Sequence, residues 1–144
     1  MALRGLDASA KLEMAVPDGL PLVRADPGLL ERVLANLFSN ALRHSPPSQP
    51  PVLRARQLHD TVLLEVVDHG PGVPDEQKAR IFEPFQRLDN HHGGVGLGLA
   101  VAKGFAEAMG GTIVAIDTPG GGLTVRVTLP ALVSGVRATL GADQ

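Results

Sequence analysis

The 144-residue sequence has no cysteine, no tryptophan and no tyrosine. The missing cysteine excludes disulfides, thiolate zinc sites, thiol nucleophiles and iron–sulfur clusters. Aromatic residues are limited to four Phe, too few for a platform that stacks nucleic-acid bases. An excess of one charge is also lacking. The 13 Lys and Arg against 15 Asp and Glu leave a formal net charge of −2, whereas a dedicated DNA or RNA binder carries a basic surface. No run approaches the ~18–20 apolar residues that span a bilayer, and the first 19 residues hold no apolar stretch of signal-peptide length. The expectation is a cytoplasmic domain with no nucleic-acid partner and no membrane contact of its own.

What is present fits one domain of ordinary size, and the 44% hydrophobic content argues against wholesale disorder. The 17 glycines and 12 prolines make up about a fifth of the chain, which signals either low complexity or many special backbone turns. Their positions favour the second. They cluster at Gly70 and Gly72, at Gly93, Gly94, Gly96 and Gly98, and at Gly120–Gly122.

Periodicity places the elements. Lys11–Val16 alternates as a half-buried strand does, and Leu22–Ala25 has the composition of a second short one. Asp26-Pro27 is a helix start, an N-cap followed by Pro at the first helical position. Leu29, Leu30, Val33, Leu34, Leu37, Phe38, Ala41 and Leu42 then cover one arc of a helix that Ser45-Pro46-Pro47 stops. Asn36, Asn40 and His44 form a polar stripe on its flank at i, i+4 and i+8. Val52–Gln57 and Thr61–Val67 are two strands around a short turn, the second nearly all apolar and therefore central. Pro74–Arg80 has the character of a short helical turn. A second helix opens at Gly94–Gly98 and stops at Gly110-Gly111. Thr112–Asp117 and Leu123–Leu129 are the last strands. Strands and helices mix without regular βαβ alternation, which predicts an α+β fold. The expected form is a two-layer sandwich, with a mixed sheet of about five strands and about three helices on one face.

Three features carry chemistry. Gly94-Val95-Gly96-Leu97-Gly98-Leu99 before a helix is either a Gly-rich turn or an anion site, where backbone N–H groups and the helix N-terminus meet phosphate. The Asn36/Asn40 pair is either a hydrogen-bonded structural stripe or a source of hard oxygen for Mg²⁺. Asp68, at the end of the central strand, either starts the Gly70-Pro71-Gly72 turn or accepts a hydrogen bond from a ligand amine.

Taken in order, these pieces resemble the catalytic and ATP-binding domain of bacterial sensor histidine kinases, within the Bergerat-type ATPase superfamily. Leu34–Ala41 is similar to the N box and Asp68-His69-Gly70-Pro71-Gly72 to the G1 box. Ile81-Phe82-Glu83-Pro84-Phe85-Gln86-Arg87 resembles the F box, Gly94–Leu99 the G2 box, and Gly120–Val125 the terminal glycine motif. The resemblance spans about residues 10–131, and its texture is closest to the potassium-sensing KdpD-type kinases. It implies a domain over residues 11–131, with a residual segment at 1–10, and the weak pattern at 132–144 predicts a frayed tail.

The resemblance also implies roles and partners. Asn40 would hold Mg²⁺, with Asn36 in support. Arg43 would contact phosphate and His44 the nucleotide. Asp68 would read the adenine amino group above Gly70 and Gly72. Phe82 and Phe85 would anchor the ATP lid unless they are core, and Arg87 would reach the γ-phosphate. Gly94, Val95, Gly96, Leu97, Gly98 and Leu99 would wrap the phosphates. Strand alternation turns Thr124 outward, away from adenine. Arg43, Asn40 and Arg87 are the catalytic candidates, and ATP and Mg²⁺ the implied cofactors. The implied partners are a phosphoacceptor dimerisation domain and a downstream response regulator, in a protein whose membrane anchor would lie upstream.

The sequence departs from the family at Val95, where Thr is common, and in a short lid from Leu88 to Gly93. Hydrolysing members of the superfamily carry a general-base Glu where this chain has Asn36, so efficient water activation is not expected. A degenerate, non-catalytic nucleotide-binding module and an autonomous ATPase are the rival readings. None of the five His precedes Glu or Asp as a phosphoacceptor does, and His91-His92 suit an exposed lid better than a metal site.

Overall fold

In the computed structural model the described residues are 13–15, 23, 25–84 and 98–131. They contain β1 (Glu13–Ala15), α1 (Pro27–His44), β2 (Val52–Leu58), β3 (Thr61–Val67), α2 (Gly98–Ala108), β4 (Thr112–Asp117) and β5 (Leu123–Pro130). The sheet has five strands in the order β1-β2-β3-β5-β4. Only the β1–β2 pair is parallel, so the sheet is mixed, as expected.

Helix α1 forms where the apolar arc predicts it. Asp26 caps it, accepting from the Leu29 N–H at 3.0 Å, and Pro27 occupies the first turn. Its buried face (Leu30, Val33, Leu37, Ala41) joins Ala102 and Ala106 of α2 over the inward residues of the sheet. These include Leu53 and Ala55 of β2, Val62, Leu64 and Val66 of β3, and Leu123, Val125, Val127 and Leu129 of β5. The i, i+2 spacing along each strand and the broad arc along each helix therefore build one shared core.

β3 is central, and its residues are buried on both faces. Its one charged residue, Glu65, is paired across the strand junction with Arg126 of β5, whose Nε and Nη2 both lie 2.8 Å from Glu65 Oε2. The pairing explains how a carboxylate sits in an otherwise apolar strand.

Three expectations are modified. Among the described residues there are two α-helices rather than three. The Pro74–Arg80 region forms two 3₁₀ turns, Asp75–Gln77 and Arg80–Phe82, because it supplies too few core residues for a longer helix: only Ile81 and Phe82 of these two turns are buried. Of the strand expected at Leu22–Ala25, the described residues show a single bridge, Val23 opposite Ala131. Thr124 is on the outward register but is 4% exposed, with its Oγ1 2.9 Å from Thr118 Oγ1. The terminal segments at 1–10 and 132–144 lie outside the described residues. No helix among the described residues is long and apolar enough to cross a membrane.

Candidate functional site

The site is built from α1, the turn after β3, the β4–β5 corner and the first turn of α2. The apolar face of α1 fixes its rotation, and this sets the flanking stripe. Asn40 is 9% exposed, and its Oδ1 accepts from Arg43 Nη2 at 3.3 Å. The His44 ring is held by Nδ1–H donating to the Asn40 carbonyl at 2.9 Å. One turn earlier, Asn36 faces the start of α2: a Cβ on Gly98 would lie 4.0 Å from Asn36 Cγ. The Asn36 side-chain amide thus stands beside a helix N-terminus, where partial positive charge favours an anion, and Asn40 follows one turn along α1.

Asp68 is 3% exposed at the C-terminal end of β3. Its Oδ1 accepts two backbone N–H groups, from Gly70 and from Leu123, each at 3.0 Å. Its own N–H donates to the Leu123 carbonyl at 2.9 Å. Both side-chain bonds end on Oδ1, which leaves Oδ2 to accept from a ligand amine. The carboxylate therefore serves the turn and remains able to serve a ligand, so the two sequence readings of Asp68 are compatible.

The glycines let three backbone segments close around it. A Cβ on Gly70 would sit 2.2 Å from the His44 carbonyl oxygen, and one on Gly122 2.1 Å from the Asp68 carbonyl oxygen. Neither position admits a side chain without backbone movement. The end of α1, the Gly70–Val73 turn and the Thr118–Gly122 corner come close together there.

The predicted residues divide into three groups. Asn36, Asn40, Arg43, His44, Asp68, Gly70, Gly72 and Gly98 lie on the elements that surround this region. Phe82 and Leu99 pack in or against the core, so Phe82 takes the core alternative. Phe85, Arg87, Gly94, Val95, Gly96 and Leu97 lie outside the described residues, as do the lid and His91-His92.

Sequence reasoning missed two contributors. Leu123 contributes through its backbone N–H, which no residue-type pattern reveals. Lys78, in the exposed turn, donates to the Val73 carbonyl at 3.0 Å and pairs with Asp75 and, at 3.0 Å, with Asp117. The i, i+3 spacing hinted at the Asp75 pair, whereas Asp117 is remote in sequence. The hydrogen bond from Lys78 holds the Asp75 carboxyl below its ordinary 3.8, and the same bond, with help from Asp117, holds Lys78 above 10.5.

Among the described residues no three His, Cys, Asp or Glu side chains gather to hold a metal by themselves. Asn40 Oδ1 is a hard oxygen donor one turn along α1 from Asn36. That donor set suits a Mg²⁺ ion that takes most of its ligands from phosphate and water.

Residues 25–133 match the family of histidine kinase-, DNA gyrase B- and HSP90-like ATPases. The sensor protein KdpD of Mycobacterium tuberculosis (strain CDC 1551 / Oshkosh) is 55% identical over 115 residues, which cover 78% of this chain and 13% of that protein. The chain thus spans about an eighth of that curated relative's length. Full-length ShkA in complex with AMPPNP superposes with a TM-score of 0.72 at 32% identity, covering 83% of this chain and 26% of that chain. The mycobacterial sensor histidine kinase MprB gives 0.70 at 28% identity, covering 83% and 82%. The five-stranded sheet, the paired helices and these matches lead to one assignment: the chain belongs to the histidine kinase-, DNA gyrase B- and HSP90-like ATPase family, as an ATP-binding domain of the kind sensor histidine kinases carry.

Proposed function

We propose that this domain, over residues 11–131, binds Mg·ATP and delivers the γ-phosphoryl group to a histidine on a separate dimerisation domain. The phosphoryl group then passes to a response regulator. The observation that carries this reading is Asp68: a buried carboxylate with one oxygen committed to the turn and the other left to accept from the adenine amine. Support comes from Asn36 beside the start of α2, with Asn40 one turn along the same helix, and from the AMPPNP complex of the ShkA relative.

In this reading Asn40 Oδ1 would hold Mg²⁺, which when bound neutralises phosphate charge. Arg43 leaves its bond to Asn40 to face the phosphates, and Asn36 orients them. His44 flanks the nucleotide, and Gly94–Leu99 wrap the phosphates with Arg87 at the γ-position. Phosphoryl transfer asks the protein chiefly for positioning and charge stabilisation. The family's hydrolysing members have Glu where this chain has Asn36, so that position offers no carboxylate to activate water, and efficient hydrolysis is not expected. An imidazole acceptor is already nucleophilic and needs less help. The domain is cytoplasmic in this reading, and the anchor of the whole protein lies outside it.

Calorimetric titration with Mg·ATP tests the proposal. Asp68→Asn exchanges a charged acceptor for an amide and should weaken binding at least tenfold, in line with about 1.5–3 kcal/mol for a hydrogen bond to a charged group. The wild-type domain should phosphorylate a cognate histidine hairpin in trans while turning over little ATP alone. Absence of nucleotide binding would overturn the reading. Steady hydrolysis by the isolated domain, abolished by Asn40→Ala, would replace it with the autonomous ATPase.

A further inference from the structure

Lys78 lies in a turn whose neighbours are largely exposed, yet its own side chain is only 15% exposed. Its ammonium has three protons and meets three acceptors: the Val73 carbonyl, the Asp75 carboxylate and the Asp117 carboxylate. Two of these belong to the walls of the Asp68 site. Val73 ends the turn that begins at Gly70. Asp117 is the last residue of β4, immediately before the Thr118–Gly122 corner. That corner is tight, with Thr118 N–H donating to the Gly122 carbonyl at 3.0 Å. It passes so near Asp68 that a Cβ on Gly122 would lie 2.1 Å from the Asp68 carbonyl oxygen. The Gly70–Val73 turn also approaches the corner at Gly72, where a Cβ would lie 3.3 Å from the Gly122 carbonyl oxygen. Lys78 therefore joins from outside the same two segments that enclose Asp68 from inside.

We propose that Lys78 is a positioning residue for the base-binding part of the site: by tying Val73 to Asp117 it sets the spacing between the Gly70–Val73 turn and the Thr118–Gly122 corner, and hence the fit of an adenine base against Asp68. This rests on the nucleotide-binding reading above. The two carboxylates are exposed, 89% for Asp75 and 71% for Asp117. Exposed ion pairs add little to global stability, so the consequence of the tie falls on loop geometry rather than on folding.

The test measures ATP and GTP binding to the wild-type chain, Lys78→Met, Asp117→Asn, the double variant and Lys78→Arg, each with its unfolding midpoint. Lys78→Met should weaken ATP binding about three- to tenfold while leaving GTP binding and the midpoint unchanged, so discrimination between the bases narrows. Asp117→Asn should act in the same direction, the double variant should be no worse than Lys78→Met because the two share one interaction, and Lys78→Arg should restore most of the ATP affinity. Unchanged ATP affinity in Lys78→Met, alongside a loss in Asp68→Asn, would overturn the tie and leave the nucleotide reading standing. An equal loss for both nucleotides with a lowered midpoint would reduce Lys78 to a general structural role. A wild-type chain that binds neither nucleotide would overturn both proposals.

Discussion

A methyl group on residue 122 would lie 2.1 Å from the Asp68 carbonyl oxygen, and φ there is +116°. Steric exclusion and backbone conformation independently demand glycine at this position. Gly122→Ala should therefore cost about 2–5 kcal/mol from positive-φ strain and overpacking together. The check is a denaturant midpoint, with loss of nucleotide binding in the fraction that remains folded. This contact was only partly legible in the sequence. Three consecutive glycines announce a special turn, but only Gly122 is sterically confined, and the atom it avoids belongs to Asp68, more than fifty positions earlier. Asp68 divides in the same way. Its place at the end of an apolar strand was plain, whereas the Leu123 N–H that fixes its rotamer comes from the far side of the β3–β5 junction.

At the scale of elements, α1 followed its sequence most closely. Asp26, Pro27 and the apolar arc specify start, phase and length through short-range interactions alone, and the helix runs from Pro27 to His44. Removing the cap should be felt as a local loss: Asp26→Ala is expected to lower stability by about 1 kcal/mol, read as a small fall in the thermal midpoint with nucleotide affinity kept. The strands were equally legible where alternation or apolar continuity was strong, but Glu65 was not explained by its own strand. Its partner Arg126 is supplied by register with β5. Arg126→Met should cost about 1–2 kcal/mol. That is less than for a fully enclosed pair, because Arg126 keeps 29% exposure while Glu65 keeps 10%. A double variant Glu65→Met/Arg126→Met that recovers stability would show that the penalty came from an unpaired carboxylate. The Pro74–Arg80 stretch was legible as a short helical turn, but not its division into two 3₁₀ turns, since short turns lack the repeated apolar positions that fix boundaries.

At the scale of the whole molecule, Lys78 joins the turn after β3 to the end of β4, so its charge state links two parts of the fold. Asp75 is held below 3.8 in the folded chain, and its contribution is fully present above that value. It is lost as pH falls through the lowered folded value. Lys78 is held above 10.5, so its contribution is fully present below 10.5 and is lost as pH rises through the raised value. Nucleotide affinity should accordingly lack any Lys78-dependent change between about pH 5 and 9. A difference between wild type and Lys78→Met should begin to close only outside that window. Affinity profiles of the two chains measured side by side provide the check, and a Lys78-dependent step near neutrality would contradict the assignment.

The sequence by itself determined the elements, their order and most of the candidate site, because caps, periodicity and glycine turns act over a few residues and leave a local imprint. Asn36, Asn40, His44, Asp68 and the glycines could be singled out on those grounds. Only the tertiary structure decided that Phe82 is core, that Thr124 is buried against Thr118, and that Asp68 Oδ1 is bonded by Leu123. It alone brought Lys78 to Asp117. Each of these depends on the β3–β5 and β4–β5 registers or on the closure of loops around them. Such contacts join residues whose types carry no mark of the partner they will meet.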